Sequence, residues 1–148
     1  MANQRKNQQT VLEALVLGIL RGIAALFRLI FRRWQGRRGL SWPEKQEIIR
    51  RRLEIEEMLK SENIHELRQA VFEADKLVDR VLRGVGFAGE SMGERLKNAH
   101  SKIDRQTYES IWQGHKVRNQ LAHEHSQNID WHELRGAAEK LLKYIKTI

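Results

Sequence analysis

"LRQAVFEADKLVDRVL", residues 67–82, is the stretch on which the fold class turns. Leu67, Ala70, Val71, Ala74, Leu77, Val78, Val81 and Leu82 recur at i, i+3, i+4 and i+7, the spacing that lines one face of an α-helix with apolar side chains. Charged and polar residues fill the gaps between them. The spacing predicts a core-facing helix over about 63–83, ended by Gly84 and Gly86. No part of the chain sustains the period-2 alternation of a half-buried strand.

Working outward, the same punctuation marks further helices. "SWPE" opens one with a capping box: Ser41 is the N-cap, Pro43 lies in the first turn and Glu44 reaches back. That helix is expected to run to about Lys60, with Ile48, Ile49, Leu53, Ile55, Met58 and Leu59 on its apolar face. Ser91 and Glu94 form a second capping box before a short helix through Asn98. A long helix starts near Asp104, and a last one spans about Asp130 to Ile148, with Leu134, Ala138, Leu141, Leu142 and Ile145 turned inward. The expectation is an all-α bundle of four or five helices with an N-terminal apolar helix. Its core is expected to hold Leu77, Val81, Val117, Leu121, Leu134 and Leu141.

Composition narrows the chemistry. The 148 residues suit one compact domain plus an extra element, and ten glycines with one proline are too few for a turn-rich all-β fold. With no cysteine, disulfides, thiolate zinc sites and cysteine nucleophiles are excluded. The net charge of +8 is unevenly spread. Eight of the 27 Lys/Arg and one of the 19 Asp/Glu lie in residues 1–40, leaving 19 and 18 in residues 41–148. The basic excess therefore belongs to the N-terminal segment, and no broad basic surface is indicated on the rest.

Residues 1–40 and 41–148 thus read as two parts, joined by the glycine- and proline-bearing "GRRGLSWP" at 36–43. In the first, "VLEALVLGILRGIAALFRLIF" (residues 11–31) is about the length that spans a bilayer, interrupted by Glu13, Arg21 and Arg28. Its thirteen Val, Leu, Ile and Phe residues favour insertion by about 6 kcal/mol, against about 3 for a central arginine. Spanning the bilayer and lying in its interface both fit, since Arg21, Arg28 and Arg32 share one stripe. Trp34 at the edge and the arginines of "FRRWQGRR", among them Arg32 and Arg33, match an interfacial anchor. The positive-inside rule then places residues 32–148 on the cytoplasmic side. The competing reading buries the same face against the domain or a second subunit.

The candidate chemistry sits at "HKVRNQLAHEH", residues 115–125. On a helix drawn over 104–125, Ile111, Gly114, Val117 and Leu121 turn to the core, while His115, Asn119 and His123 form a polar row at i, i+4 and i+8. Arg118 borders that row. Guanidinium, carboxamide and imidazole on one edge suit a phosphate, with Arg118 as a planar donor and His123 able to move a proton near neutral pH. Trp112, on the same arc, is placed either to stack a base or to pack in an interface. Two other patterns carry less. "GVGFAG" at 84–89 spells G-x-G-x-x-G but follows a helix rather than a strand, so it reads as a helix cap and turn. His123, His125 and His132 lack metal-ligand spacing, and neither a metal nor a cofactor is expected.

"RNQLAH", Arg118 to His123, resembles the R-x4-H signature of the HEPN superfamily, small all-α proteins many of which are metal-independent ribonucleases. "WQGHKVRNQLAHE", with "GESMGERLK" upstream, is similar to bacterial HEPN-like proteins, some of which carry an apolar N-terminal helix. The resemblance covers about residues 60–148. It implies a homodimer whose motif helices face each other across a cleft, each supplying Arg118, Asn119 and His123 to cleave RNA. His115 is not part of that signature and, with Trp112 on the same polar arc, is assigned only an auxiliary role. The resemblance equally admits a non-catalytic dimeric interaction or RNA-binding module.

The anchoring expectation has a direct check. Full-length protein is expected in the membrane fraction at low and high salt, and a chain beginning at Leu40 in the supernatant. Both forms in the supernatant would instead assign residues 11–31 to a protein interface.

Overall fold

The first helix, α1 (Trp42–Met58), starts where its sequence dictates. Glu44 folds back to accept the Ser41 backbone N–H at 2.8 Å and the Ser41 hydroxyl at 2.6 Å. Those two bonds hold the Glu44 carboxyl below its ordinary pKa. Side-chain oxygens also cap α2 (Ile64–Gly84), α3 (Met92–Ala99), α4 (Arg105–Ala122) and α5 (Trp131–Ile145), from Asn63, Ser91, Asp104 and Asp130 respectively. In this computed structural model the described residues are 18, 21, 22, 26, 39–123 and 129–147. Among them the protein is all-helical.

The chain divides into two compact units, residues 1–36 and 37–148. In the first, Gly18, Arg21, Gly22 and Leu26 are helical and exposed. Arg28, Arg32, Arg33 and Trp34, on which the anchoring expectation also rests, lie outside the described residues. No helix among the described residues is long and apolar enough to cross a membrane.

In the second unit α2 is the hub and packs against all four other helices. Leu67, Ala70, Val71, Ala74, Val78, Val81 and Leu82 are sealed from solvent, and Leu77 nearly so. Each large aliphatic side chain buried there contributes about 1.5–3 kcal/mol. Leu134, Ala138, Leu141 and Leu142 on α5 supply the opposing surface. The turn after α2 is a Schellman motif: Phe87 N–H donates to Leu82 O at 2.9 Å and Gly86 N–H to Arg83 O at 3.0 Å. Gly86 adopts φ +94°, which a β-carbon disfavours, so the glycines of "GVGFAG" stop a helix rather than cradle a phosphate.

Burial departs from the sequence expectation on the two outer helices. Ile48 and Ile55 of α1 are buried, but Ile49 is 43% and Leu53 54% exposed, as is Trp42 at 74%. α1 packs mainly on α2, so only one line of its apolar residues is covered. Val117 and Leu121 of α4 pack against the core yet remain half-buried; only Ile111 and Gly114 of that helix are fully covered.

Gly114 is where α4 meets α5. A β-carbon there would lie 2.6 Å from Leu141 Cγ and 2.8 Å from the Ala137 carbonyl oxygen, closer than packed atoms approach. Gly136, on α5, has nothing within 4 Å of the same position. Gly114→Ala is therefore expected to destabilise by about 1–3 kcal/mol through overpacking, and Gly136→Ala to stabilise by up to about 1 kcal/mol through helix propensity. Urea midpoints of the two variants check this, and equal midpoints would refute the close approach.

Candidate functional site

Asp75 is the residue around which the site is built. It lies on α2 in line with Val71, Val78 and Leu82, and it is 4% exposed. A carboxylate taken that far from water persists only with charged or hydrogen-bonding partners. Two come from α4: His115 Nδ1 lies 2.7 Å from Asp75 Oδ1, and Arg118 Nε 3.5 Å from Oδ2. One carboxylate thereby grips an imidazole and a guanidinium side by side. Arg118 also donates from Nη1 to Asn119 Oδ1 at 3.1 Å, and its guanidinium lies 5.7 Å from the centre of the Phe72 ring. Two edges of the fork are thus held, while Nη2 makes no hydrogen bond among the described residues.

The imidazole is fixed as firmly. With Nδ1 turned to the carboxylate, the ring stacks on Trp112 at 5.7 Å between centres and 13° between planes. Trp112 continues to Tyr108 at 6.4 Å, and Tyr108 meets His100 edge-on at 4.7 Å. Tyr108, Trp112 and His115 form a row along α4, with His100 from the end of α3 against its first ring and Gly93 of α3 against its last. A β-carbon at Gly93 would lie 3.5 Å from His115 Nε2 and 3.7 Å from the Trp112 ring, ordinary contact distances, so α3 packs directly against this end of the row. His115 Nε2 has no hydrogen-bond partner among the described residues, yet it is not among their buried unpartnered polar atoms.

The residues expected from sequence divide accordingly. Arg118, Asn119, His115 and Trp112 come together as one polar and aromatic edge of α4. His123 does not continue the helical row: α4 ends at Ala122, and His123 is an exposed C-cap with φ −103° and ψ 154°. The physical reason is visible in the sequence, since between Ala122 and Ile129 there is no apolar residue to bury and extend the helix. His123 makes no side-chain hydrogen bond, ion pair or ring contact among the described residues. Glu124 and His125 lie outside them. No group of three or more potential metal ligands gathers among the described residues.

Asp75, Gly93 and Phe72 did not stand out in the sequence reading. Asp75 carried a signal, because it is the lone acid on the buried line Val71–Asp75–Val78–Leu82 and must have a partner elsewhere. Gly93 and Phe72 carried none, as their roles exist only where α3 and α2 meet α4. Comparison with protein-family models, with curated proteins and with solved structures finds no match.

Removing one member of a fully buried ion pair costs about 3–5 kcal/mol. Because the Arg118 side chain is 36% exposed, Asp75→Ala is expected to lose about 2–4 kcal/mol. Asp75→Asn keeps an oxygen for the His115 N–H and is expected to lose less, about 1–2 kcal/mol. Urea unfolding with unchanged slope measures both, and a midpoint for Asp75→Ala matching wild type would show that the carboxylate holds nothing.

Proposed function

We propose that residues 41–148 form a HEPN-like module whose R-N-x3-H stretch is a metal-independent endoribonuclease centre. The centre is shared by two copies whose α4 helices face each other across a cleft, and the N-terminal segment attaches the protein to the cytoplasmic face of a membrane. The observation that carries this reading is the state of Arg118. It is set in place by Asp75 and Asn119, and its Nη2 has no hydrogen-bond partner among the described residues, which is how a phosphate-binding arginine is prepared before its substrate arrives. The partial burial of α4 supports the shared centre. Trp112, Val117, Arg118, Asn119 and Leu121 are all half-covered, on a helix with only two fully buried residues.

In this mechanism the RNA 2′-oxygen attacks the adjacent phosphorus while His123 takes its proton. Arg118 balances the charge that builds on the phosphoryl oxygens, and Asn119 orients the phosphate. Cleavage leaves a 2′,3′-cyclic phosphate, and DNA is spared because it has no 2′-hydroxyl.

A second reading, a non-catalytic dimeric interaction or RNA-binding module, is favoured by a different observation. Arg118 and His115 both spend a nitrogen on Asp75, and residues 41–148 are nearly neutral, whereas phosphate contacts normally dominate RNA affinity.

The two readings part in one assay. Full-length protein with EDTA is expected to cut single-stranded RNA to cyclic-phosphate ends. His123→Ala and Arg118→Ala are each expected to lower the rate by roughly 10²–10⁴ with the fold retained. The interaction reading instead predicts intact RNA throughout, with Arg118→Ala shifting the dimer towards monomer in sedimentation. RNA decay at one rate in wild type and both variants would mark a contaminating nuclease and remove the support for catalysis.

A further inference from the structure

Three large apolar side chains of α1 have no cover from the rest of the bundle: Trp42 is 74%, Ile49 43% and Leu53 54% exposed. Spaced seven and four residues apart, they fall within about 40° of one another around the helix and form a line about 16 Å long, well away from the buried Ile48 and Ile55. Single exposed apolar residues are ordinary, but a continuous line of them marks a contact surface. We propose that this line rests in the headgroup interface of the bilayer, so that α1 lies along the membrane surface rather than hanging from its tether. The inference rests on the membrane-attachment reading above and deepens it, by naming the surface of residues 41–148 that meets lipid.

Three observations select lipid as the occupant. The first is position in the chain. α1 begins at Trp42, eleven residues beyond Phe31, the last residue of the apolar stretch. Fully extended, that length of chain spans at most about 40 Å. Once residues 11–31 hold the bilayer, the line on α1 is kept within reach of it. Docking is then intramolecular and needs little intrinsic affinity. The second is the order of the side chains, with an indole at the end nearest the apolar stretch and two aliphatic residues after it. That is the make-up of a helix lying in the interface plane.

The third observation is charge. Every acid of α1 is already engaged: Glu44 with Ser41, Glu47 and Glu54 with Arg50 and Arg51, Glu56 with Lys146 at 3.0 Å and Glu57 with Lys60 at 2.6 Å. Lys45 and Arg52, seven residues apart along one border of the line, make no ion pair among the described residues, and Arg52 Nε makes no hydrogen bond. Cations left free beside an apolar line suit anionic headgroups. A second copy of the chain fits the line less well. Three side chains fall far short of the roughly 20–30 residues that each partner brings to a stable interface. Nor do α1 and α4 touch, so the line stays available to lipid while two α4 helices face each other. The same small area means that α1 does not hold the membrane without the segment that tethers it.

The chain has no cysteine, so a single fluorophore can be placed at will. Full-length Leu53→Cys and Lys97→Cys proteins, each labelled with nitrobenzoxadiazole, are reconstituted into vesicles of phosphatidylcholine and phosphatidylglycerol. Leu53 is the position on the line farthest from Trp42, and Lys97 is an exposed residue of α3. The label at 53 is expected to be quenched by nitroxide-bearing lipid, and several-fold less by aqueous iodide than the label at 97. Adding Trp42→Glu, a change at an exposed site that leaves the core intact, is expected to return the label at 53 to water while the protein stays with the vesicles. Equal iodide quenching at 53 and 97 in vesicle-bound protein would overturn the proposal. Protection at 53 without quenching by the nitroxide lipid would also overturn it, and give the line to a protein surface such as a second copy. If the full-length protein does not float with the vesicles at all, the attachment reading itself falls, and this surface falls with it.

Discussion

A carboxylate buried in an apolar helix face is the constraint from which the site follows. Asp75 interrupts the stripe by which α2 holds the bundle together, and at 4% exposure it has little water to solvate it. The cost of that burial is offset only because α4 delivers His115 and Arg118 to its two oxygens. The same contact that makes the burial tolerable therefore fixes α4 against α2 and turns two flexible side chains into placed ones. Apolar residues at this position would hold the helices as well or better, so the carboxylate is better understood through the groups it orients than through the stability it adds.

That orientation is reinforced by packing which no single helix supplies. Gly114 lets α4 sit close to α5, with Leu141 and the Ala137 carbonyl filling the space where a side chain would be. Held there, α4 presents one edge to α2 and α3 and leaves its flank half-covered. The ring row Tyr108–Trp112–His115 runs along that edge, and Gly93 of α3 packs against its end. Of the two glycines, only Gly114 is required by space, since a β-carbon at Gly93 would meet its neighbours at ordinary contact distances.

α1 is organised differently. Its charged surface is a lattice of short-range pairs, among them Arg50 with Glu47 and Arg51 with Glu47 and Glu54, all substantially exposed. Such exposed pairs contribute little individually, because water screens them and long side chains must be ordered to form them. The attachment of α1 comes from Ile48 and Ile55 against α2, and from Leu40, whose side chain occupies the space beside Gly84.

How far the sequence reached depends on the range of the interactions involved. The all-α fold, the helix starts at Ser41, Asn63, Ser91, Asp104 and Asp130, and the turn at Gly86 were legible because capping and periodicity act within a few residues. The motif edge Trp112, His115, Arg118 and Asn119 was legible for the same reason, as it lies on one helix. The place where α4 stops was misjudged: a helical wheel extends any pattern indefinitely, and His123 falls beyond the last turn that buries anything. The half-burial of Val117 and Leu121 and the exposure of Ile49 and Leu53 were decided by which neighbours happen to cover each face, information no local period carries. Above all, the pairing of Asp75 with His115 and Arg118 spans 40 residues or more. Sequence alone shows an acid that needs a partner and a histidine that needs a role, and only the packing of α2 against α4 brings them within hydrogen-bonding distance.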